Sequence, residues 1–365
     1  MNICIIGDGL TSLSLAKNLI NKKINVHYYH KNKIENSSSS RTIGISKNNL
    51  EFFKKEIYNI NKKFFWEINK IEIFSEKLEK KKLLNFENEK NNLFYIVKNT
   101  DLYESLNKKI NKNKFFTKKI IKSDLFYEQL LKKNKYDLII NCDSNNYISK
   151  KYFTKKISKN YDSLAYTTIL KHKKIVNKTA TQIFSKYGPI AFLPISNTET
   201  SVVYSLDTKN KKYSDVEVLD LINENNPKYI IKKIFKLSNF KLSSSHLRNY
   251  QYKNILAFGD LLHRIHPHAG QGFNMIIRDI KILSEIIQNQ IDLGMQVDSS
   301  TAIDFEKQVK TKNFLFSNSI DFIYEAFNFD KKTNNKSFNN FLRILGKNKN
   351  ITNYFIKLAD RGFNF

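Results

Sequence analysis

The sequence predicts an α/β fold built around a Rossmann-like nucleotide-binding domain, with an inserted β-sheet domain and a C-terminal helical region. Asn2–Ile6 is predicted as a short apolar strand, residues 7–9 (GDG) as a tight turn and Leu10–Ile20 as a helix. Val26–Tyr29 supplies a second strand and completes a βαβ-type unit. The turn of such a unit holds a pyrophosphate at the helix N-terminus. The N-terminal segment therefore predicts a dinucleotide site.

A second glycine-rich segment places a carboxylate and a helix entrance close together. The apolar run Ile255–Phe258 ends at Gly259 and Asp260, and this carboxylate can accept hydrogen bonds from sugar-like hydroxyls. Residues 270–272 (GQG) then lead into a predicted helix, whose N-terminus favours negative charge. A flavin presents both features, a ribityl polyol and a ring that becomes anionic on reduction. The segment therefore predicts a flavin site; for the GQG triplet alone, an ordinary turn before a helix is the alternative.

This segment resembles the second flavin-binding motif of the FAD-dependent, para-hydroxybenzoate hydroxylase-like monooxygenases, in particular the branch that hydroxylates ubiquinone precursors. The matching positions are Gly259, Asp260, His263, His266, Pro267, Ala269, Gly270, Gln271, Gly272, Asn274, Arg278 and Asp279. The resemblance implies FAD as cofactor, NAD(P)H or a separate reductase as electron donor and molecular oxygen as co-substrate. It also implies hydroxylation of the aromatic ring of a polyprenylated phenol or quinol through a flavin hydroperoxide.

The resemblance also implies which residues bind the cofactor, and it covers nearly the whole chain. The implied FAD-binding residues are Gly7, Gly9, Leu10, Thr11, Ser12, His30, Arg41, Asn99, Asp143, Asp260, Pro267, Gly270, Gln271, Gly272, Phe273 and Asn274. Ser12, Ser144 and Ile276 stand where the family carries glycine, and His30 replaces the acid that binds ribose. Because a carboxylate accepts these hydrogen bonds with charge assistance, His30→Glu is expected to tighten FAD binding.

No catalytic base is assigned. His172 and Tyr204 are candidates by position alone, and a structural role is the alternative for both. A catalytically lapsed scaffold subunit of a quinone-biosynthesis complex is the alternative function, favoured by the departures at His30, Ser144 and Ile276. The presence of a flavin absorbance spectrum in the purified protein would separate the two functions.

Two further alternatives are weaker. His263, His266 and His268 have a spacing that can ligate zinc, but the family motif already accounts for two of them, so no metal site is predicted. A flavin halogenase of the same fold carries a tryptophan-rich motif, whereas Trp66 is the single tryptophan in this chain.

The chain has a net charge of +28 over 365 residues. Compositional drift toward lysine and attraction to anionic lipid are both open explanations, whereas no recognisable nucleic-acid module accompanies the charge. No signal peptide precedes Ile3, and no apolar run approaches a membrane span. Cys4 and Cys142 are expected to be buried, reduced thiols. We therefore expect a cytoplasmic protein, peripheral on the inner face of the membrane, without a nucleic-acid partner.

The order of the motifs predicts a discontinuous organisation. The FAD-binding domain is predicted over residues 1–68, 97–157 and 245–297, the substrate domain over 69–96 and 158–244, and the C-terminal helical region over 298–365. The substrate domain is expected to contain a strand pair around Ile71–Phe94, a sheet over Tyr161–Leu206 and a helix after Ser214.

Overall fold

The computed structural model describes residues 1–31, 40–76, 82–87, 92–133, 135–265, 270–333 and 348–362. The strands within these ranges are β1 (Asn2–Ile6), β2 (Asn25–His30), β3 (Thr42–Ser46), β4 (Trp66–Ile68), β5 (Lys70–Ser75), β6 (Lys82–Glu87), β7 (Phe94–Lys98), β8 (Phe116–Ile120), β9 (Leu138–Asn141), β10 (Lys156–His172), β11 (Thr179–Ser185), β12 (Gly188–Pro194), β13 (Glu199–Asp207), β14 (Ile231–Ile234), β15 (Ser238–Leu247), β16 (Gln251–Tyr252), β17 (Ile255–Ala257) and β18 (His263–Arg264).

The helices are α1 (Leu10–Asn21), α2 (Lys47–Phe52), α3 (Asn99–Ile110), α4 (Leu125–Lys132), α5 (Tyr147–Tyr152), α6 (Asp215–Glu224), α7 (Gln271–Asp292), α8 (Ser299–Thr333) and the C-terminal helix Lys349–Arg361. Short helical turns occupy Phe53–Ile57, Lys62–Phe64 and Gly259–Leu261.

The first sheet has the strand order β16-β17-β9-β1-β2-β8. All its strands are parallel except β16, which pairs antiparallel with β17. The central strand β1 is apolar and buried along nearly all of its length, which is typical of a parallel strand covered by helices on both faces. Leu13 of α1, Leu102 of α3 and Ile277 of α7 are buried in the same core as β1. The sheet and these helices form the predicted Rossmann-like domain.

The second sheet is largely antiparallel and runs β18-β15-β10-β13-β12-β11-β5-β6, with β14 paired to β10. The helix predicted after Ser214 is present as α6. Ser214 and Glu217 form a reciprocal capping box that satisfies backbone donors at the start of this helix. Val218 and Ile222 on its apolar face are buried in a second core with the side chains of β10, β12 and β13. This sheet therefore has a core of its own.

A small antiparallel sheet, β3-β7-β4, lies beside the second sheet. The Thr42 hydroxyl on β3 donates to the Ser201 Oγ on β13 at 3.0 Å. At another junction, β18 pairs with β15 and joins the segment after β17 to the second sheet. His263–Arg264 was assigned by sequence to the FAD-binding domain, and it is also hydrogen-bonded to a strand of the inserted sheet. The segment that follows β17 of the first sheet is thus hydrogen-bonded to a strand of the second sheet.

The predicted fold class is confirmed, with a Rossmann-like sheet, an inserted sheet and C-terminal helices. The bounds of β1 match the prediction, and α1 extends one residue further, to Asn21. None of the helices described here combines the length and apolar character needed to span a membrane.

Candidate cofactor site

The candidate site lies at the carboxyl edge of the first sheet. After β1 the chain continues to β2 on one side, while β9 lies on the other side of β1. Ligands of open parallel sheets bind in the crevice at such a reversal of strand order. The turn of residues 7–9 lies there, and the Gly7 N–H donates to the Tyr29 carbonyl at 3.0 Å. The first predicted motif is therefore placed at the expected ligand crevice.

The second motif packs directly on the first. Gly259 follows β17 with a φ of +66°, a left-handed conformation that favours glycine. A Cβ at this position would lie 2.5 Å from the Thr11 Cγ2. The contact requires glycine at position 259, and it brings the next residue, Asp260, to the same edge as the N-terminal turn. The Asp260 residue is exposed there.

Asp143 lies at the same edge, after β9. Burial, with Asp260 and Asp143 nearby, raises the pKa of the Cys142 thiol far above its ordinary value. A Cβ at Gly7 would lie 3.0 Å from the Cys142 Cβ, so the thiol packs directly behind the N-terminal turn. Cys4 is buried as predicted, whereas Cys142, also predicted as a buried thiol, is only partly buried, and its contact with the turn was not predicted.

The entrance of α7 is held in place by Asn274, which is fully buried. Its Oδ1 accepts the Ser46 N–H at 2.9 Å and the Asn49 amide at 3.1 Å. Its Nδ2 donates to the Gly44 carbonyl at 2.9 Å. Gly270 precedes the helix with a φ of +62°, again in the left-handed region. The Asn274 side chain therefore serves to hold α7 against β3, and only its backbone remains a candidate for contact with a cofactor.

Gln271 is the strongest sign of a ligand at this place. The residue is 4 % exposed, and neither its Nε2 nor its Oε1 has a hydrogen-bond partner among the described residues. Buried amides are nearly always hydrogen-bonded, so an unpartnered one points to a polar ligand or water. A Cβ added at Gly9 or at Gly272 would meet no described atom within 4 Å, so both glycines border open space. These features fit a bound dinucleotide.

Several predicted site residues have structural contacts instead. Leu10 and Ile276 are buried in the main core, and Phe273 packs against it with its ring 6.4 Å from that of Phe53. The Ser12 hydroxyl donates to the Gly9 carbonyl at 2.8 Å and lies 3.0 Å from the Tyr28 hydroxyl. The Leu10, Ser12 and Ile276 side chains are committed to the interior, so any contact they make with a cofactor is through the backbone, whereas the Phe273 side chain is only partly buried.

Arg41 and Asn99 lie together, since the Asn99 N–H donates to the Arg41 carbonyl at 3.0 Å. The Arg41 side chain is exposed. Pro267, together with His266, His268 and Ala269, lies outside the described residues.

His30 lies at the end of β2 with Asp8 beside it, an acid that the sequence reasoning did not select. The His30 Nδ1 is 3.8 Å from the Asp8 Oδ1. Asp8 also accepts the Lys31 N–H at 3.0 Å, and the Lys31 Nζ lies 3.7 Å from Asp143. Burial first, and then Lys118, lower the pKa of His30, while Asp8 opposes this shift.

The remaining motif residues anchor helices. The His263 Nε2 lies 2.6 Å from the Asp279 Oδ2, and the Asn313 amide donates to the Asp279 Oδ1 at 2.9 Å. Arg278 is buried with its guanidinium 4.5 Å from the centre of the Phe316 ring. These contacts join α7 to β18 and α8. No group of three or more metal-ligating side chains occurs in the described part of the chain.

Neither positional candidate for a base is available for catalysis. His172 is buried, with its Nδ1 2.8 Å from the Lys173 carbonyl and its Nε2 3.0 Å from the Thr200 hydroxyl. Tyr204 is fully buried, and its hydroxyl lies 2.9 Å from the Ser185 hydroxyl. Burial raises the pKa of Tyr204 well above its ordinary value. Both residues therefore have a structural role, which the sequence analysis gave as the alternative to a catalytic one.

His246 on β15 allows a test of what a buried histidine without hydrogen-bond partners costs the folded protein. It is buried, and neither ring nitrogen has a partner in the part of the chain described. Burial lowers the pKa of His246, so the unfolded chain binds a proton more readily than the folded chain below about pH 6.5. The free energy of unfolding therefore decreases as the pH is lowered through this range. Replacing a group that is buried without partners removes a cost of about 1–3 kcal/mol. His246→Leu is therefore expected to raise the free energy of unfolding, and to raise it more at pH 5.5 than at pH 7.5.

Urea denaturation at the two pH values measures this effect. His172→Leu is the matched control, because both nitrogens of His172 are hydrogen-bonded and its loss should destabilise the protein. A His246→Leu protein that is less stable than the parent at both pH values would contradict the expectation.

Comparison with known proteins agrees with this geometry. Residues 146–292 match the family model described as FAD binding domain. The chain is 27 % identical over 205 residues to the mitochondrial ubiquinone biosynthesis monooxygenase COQ6 of Dictyostelium discoideum, covering 46 % of this chain and 40 % of the relative. It is 27 % identical over 172 residues to the 3-demethoxyubiquinol 3-hydroxylase of Escherichia coli, covering 45 % of this chain and 42 % of that enzyme. The matched regions thus span less than half the length of these curated relatives.

Solved structures share the fold at low sequence identity. The p-nitrophenol 4-monooxygenase PnpA of Pseudomonas putida superposes with a TM-score of 0.75 at 11 % identity, covering 100 % of this chain and 98 % of that one. HpxO of Klebsiella pneumoniae, solved with FAD and uric acid, superposes with a TM-score of 0.72 at 11 % identity, covering 100 % and 97 %. The chain thus has the fold of these proteins and, as its motifs predicted, resembles in sequence the ubiquinone-biosynthesis hydroxylases of the FAD-dependent monooxygenase family.

Proposed function

We propose that the protein is an FAD-dependent monooxygenase that hydroxylates the aromatic ring of a polyprenylated phenol or quinol in ubiquinone biosynthesis. The observation that carries the proposal is the convergence of the two glycine motifs at one sheet edge, next to the buried and unpartnered Gln271. The sequence similarity to COQ6 and to 3-demethoxyubiquinol 3-hydroxylase supports the substrate class.

Each part of the site has a distinct task in holding FAD. The turn of residues 7–9 would take the pyrophosphate at the N-terminus of α1, and Asp260 would accept hydrogen bonds from cofactor hydroxyls. The backbone N–H groups at the start of α7 would stabilise negative charge on the reduced ring. When bound, FAD supplies the activation of molecular oxygen, with electrons from NAD(P)H or a reductase.

The substrate ring would lie between the cofactor site and the second sheet. The hydrogen bond from Thr42 on β3 to Ser201 on β13 joins β3 to the second sheet. On the same strand β3, the Gly44 carbonyl accepts a hydrogen bond from Asn274 of α7. The Ser40 hydroxyl, 3.2 Å from the Thr167 hydroxyl of β10, makes a second buried contact between these regions. These contacts favour a site closed from water on the side of the second sheet, where the protein positions the ring.

Purification and absorbance spectroscopy test the proposal first. We expect a non-covalent flavin spectrum, and substrate-dependent oxygen consumption when a polyprenyl phenol and an electron donor are added. The catalytically lapsed scaffold is the second candidate, since His30 and Ser144 depart from the family pattern. A protein that binds no flavin, or that binds flavin and never hydroxylates a ring, would favour the scaffold. Three departures from the family pattern favoured the scaffold, at His30, Ser144 and Ile276. Because Ile276 is buried in the main core, its departure no longer supports this alternative.

We further propose that the protein works at the inner face of the membrane as a peripheral protein. A polyprenyl tail favours the bilayer, and a net charge of +28 favours anionic lipid, an attraction that salt weakens. We expect co-sedimentation with vesicles that contain anionic lipid at low salt and release at high salt, whereas neutral vesicles serve as the control. Protein that stays in the supernatant under every condition would contradict the proposal. In that case either a partner, such as a quinone-biosynthesis complex, delivers the substrate, or the charge reflects compositional drift alone.

A further inference from the structure

Gln271 begins α7 with a buried amide that has no hydrogen-bond partner among the residues the structure describes. Gln290, near the other end of the same helix, shows the usual arrangement of a buried glutamine. Its Oε1 accepts the Thr301 hydroxyl at 2.6 Å, and its Nε2 donates to the Ser300 Oγ at 3.2 Å. Because a buried amide without such bonds is costly, the Gln271 side chain indicates a polar group that binds beside it.

Gln271 lies on the face of α7 that is turned away from the first sheet. Ile280 follows it by nine residues, about two and a half helical turns, and so lies on the opposite face. That face is buried in the main core with β1. Met275 is one turn after Gln271 on the same face, and it packs in a separate apolar cluster with Ile265 and Phe316. The Gln271 amide is therefore on the side of this second cluster.

The start of α7 lies between β3 and β18. On one side it packs on β3, where a Cβ at Gly270 would lie 3.5 Å from the Gly44 nitrogen. On the other side is the cluster of Ile265, which directly follows β18, and β18 pairs with β15 of the second sheet. The proposed place for the substrate ring is likewise between the cofactor site and the second sheet. The Gln271 amide and the substrate ring are thus expected at the same place.

We propose that the Gln271 side chain binds the phenolic hydroxyl of the substrate, while the backbone N–H groups at the same helix end bind the cofactor. This inference rests on the proposed function and names a residue that selects the substrate. An amide offers an acceptor oxygen and two donor hydrogens, so it can bond a hydroxyl in either direction. The apolar side chains of Ile265 and Met275 on the same side suit the carbon atoms of an aromatic ring. A ring without the hydroxyl would leave the buried amide unpaired and is therefore rejected.

Two probes that differ by one hydroxyl measure this contact. They are a phenol with a short prenyl tail and the same compound with hydrogen in place of the hydroxyl. Each is titrated into the FAD-loaded full chain without an electron donor, and binding is followed by the change in flavin absorbance. The parent protein should bind the phenol about 10- to 100-fold more tightly than the other probe. Gln271→Met keeps the length of the side chain and removes its polar atoms, so the two affinities should then agree within about threefold.

Gln290→Met is the matched control, because it makes the same change at a buried glutamine of the same helix whose amide is hydrogen-bonded. It should lower the urea midpoint of the apoprotein and leave the preference for the phenol unchanged. Gln271→Met should not lower this midpoint, since the polar atoms that it removes have no partners among the described residues. Its affinity for FAD should stay within about threefold of the parent, because the backbone of α7 is unchanged.

The remaining outcomes distinguish the failure of this inference from the failure of the proposed function. A parent protein that binds no FAD, or that binds FAD and neither probe, would refute the proposed function and with it this inference. A parent that binds FAD and both probes equally would refute the role of Gln271 alone. The same holds for a Gln271→Met protein that keeps the preference for the phenol, that loses FAD affinity, or that is less stable than the parent.

Discussion

The Asp260→Ala variant is expected to lose most of its FAD during purification. Asp260 is exposed at the carboxyl edge of the first sheet, directly after the Gly259 that packs on Thr11. Hydrogen bonds to charged groups contribute about 1.5–3 kcal/mol, which corresponds to a dissociation constant about 10- to 100-fold higher. Because Asp260 is exposed and its side chain is small, its removal should cost little folding stability. The loss of flavin should therefore occur in a normally folded protein.

Flavin absorbance per protein, followed by titration of the apoprotein with FAD, measures this change. Asp292→Ala is a suitable control, because Asp292 accepts from Gln288 at the far end of α7 and lies away from the sheet edge. Circular dichroism of both variants should match that of the parent. Full flavin occupancy in Asp260→Ala would refute the role given to this carboxylate.

The Asn274→Ala variant is expected to lose both stability and FAD. The change leaves the buried Ser46 N–H without its acceptor, the Gly44 carbonyl without its donor at 2.9 Å, and the Asn49 amide with one bond fewer. Each buried group left unpaired costs about 1–3 kcal/mol, so a total near 3 kcal/mol is expected. The N-terminus of α7 would then no longer be fixed against β3, and FAD binding should weaken as well.

The conservative variant Asn274→Asp separates the two halves of this side chain. Its carboxylate keeps the acceptor for Ser46 and Asn49 but loses the donor to the Gly44 carbonyl, so an intermediate loss of stability is expected. Urea denaturation of the apoproteins gives the unfolding free energies, with Asn111→Ala at the exposed end of α3 as a control. Stability of Asn274→Ala equal to that of the parent would contradict the role of the Asn274 contacts.

The local elements of the site could be predicted from sequence because local residues determine them. Three local elements follow one another directly in the sequence: the apolar run of β1, the glycine turn and the helix α1. Their predicted bounds were nearly correct. The strand of Ile255–Ala257 and the helix entrance at Gly270 were also found from local pattern. In each case the backbone conformation depends on residues close in sequence.

The contacts between distant segments could not be predicted in this way. Asn274 matched a motif position, but its bonds to Ser46 and Asn49 join residues more than two hundred positions apart. The closeness of Asp8 to His30 depends on the parallel pairing of β1 with β2, which places the ends of the two strands side by side. A pattern read along one chain does not contain these pairings, so Asp8 was passed over as an ordinary turn residue.

The pairing of β18 with β15 has a consequence for how the molecule unfolds. Only a few residues separate Asp260 from β18. Between these two points, the Leu262 carbonyl accepts the N–H of Leu247 on β15 at 2.9 Å. A ligand that binds only the native state adds its binding free energy to every opening that disrupts its site. Bound FAD should therefore slow hydrogen–deuterium exchange of the β15 amides, although no β15 residue is proposed to contact the cofactor. The inserted sheet would then behave as part of one cooperative unit, and it should not persist as a folded fragment when it is expressed without the segments that flank it.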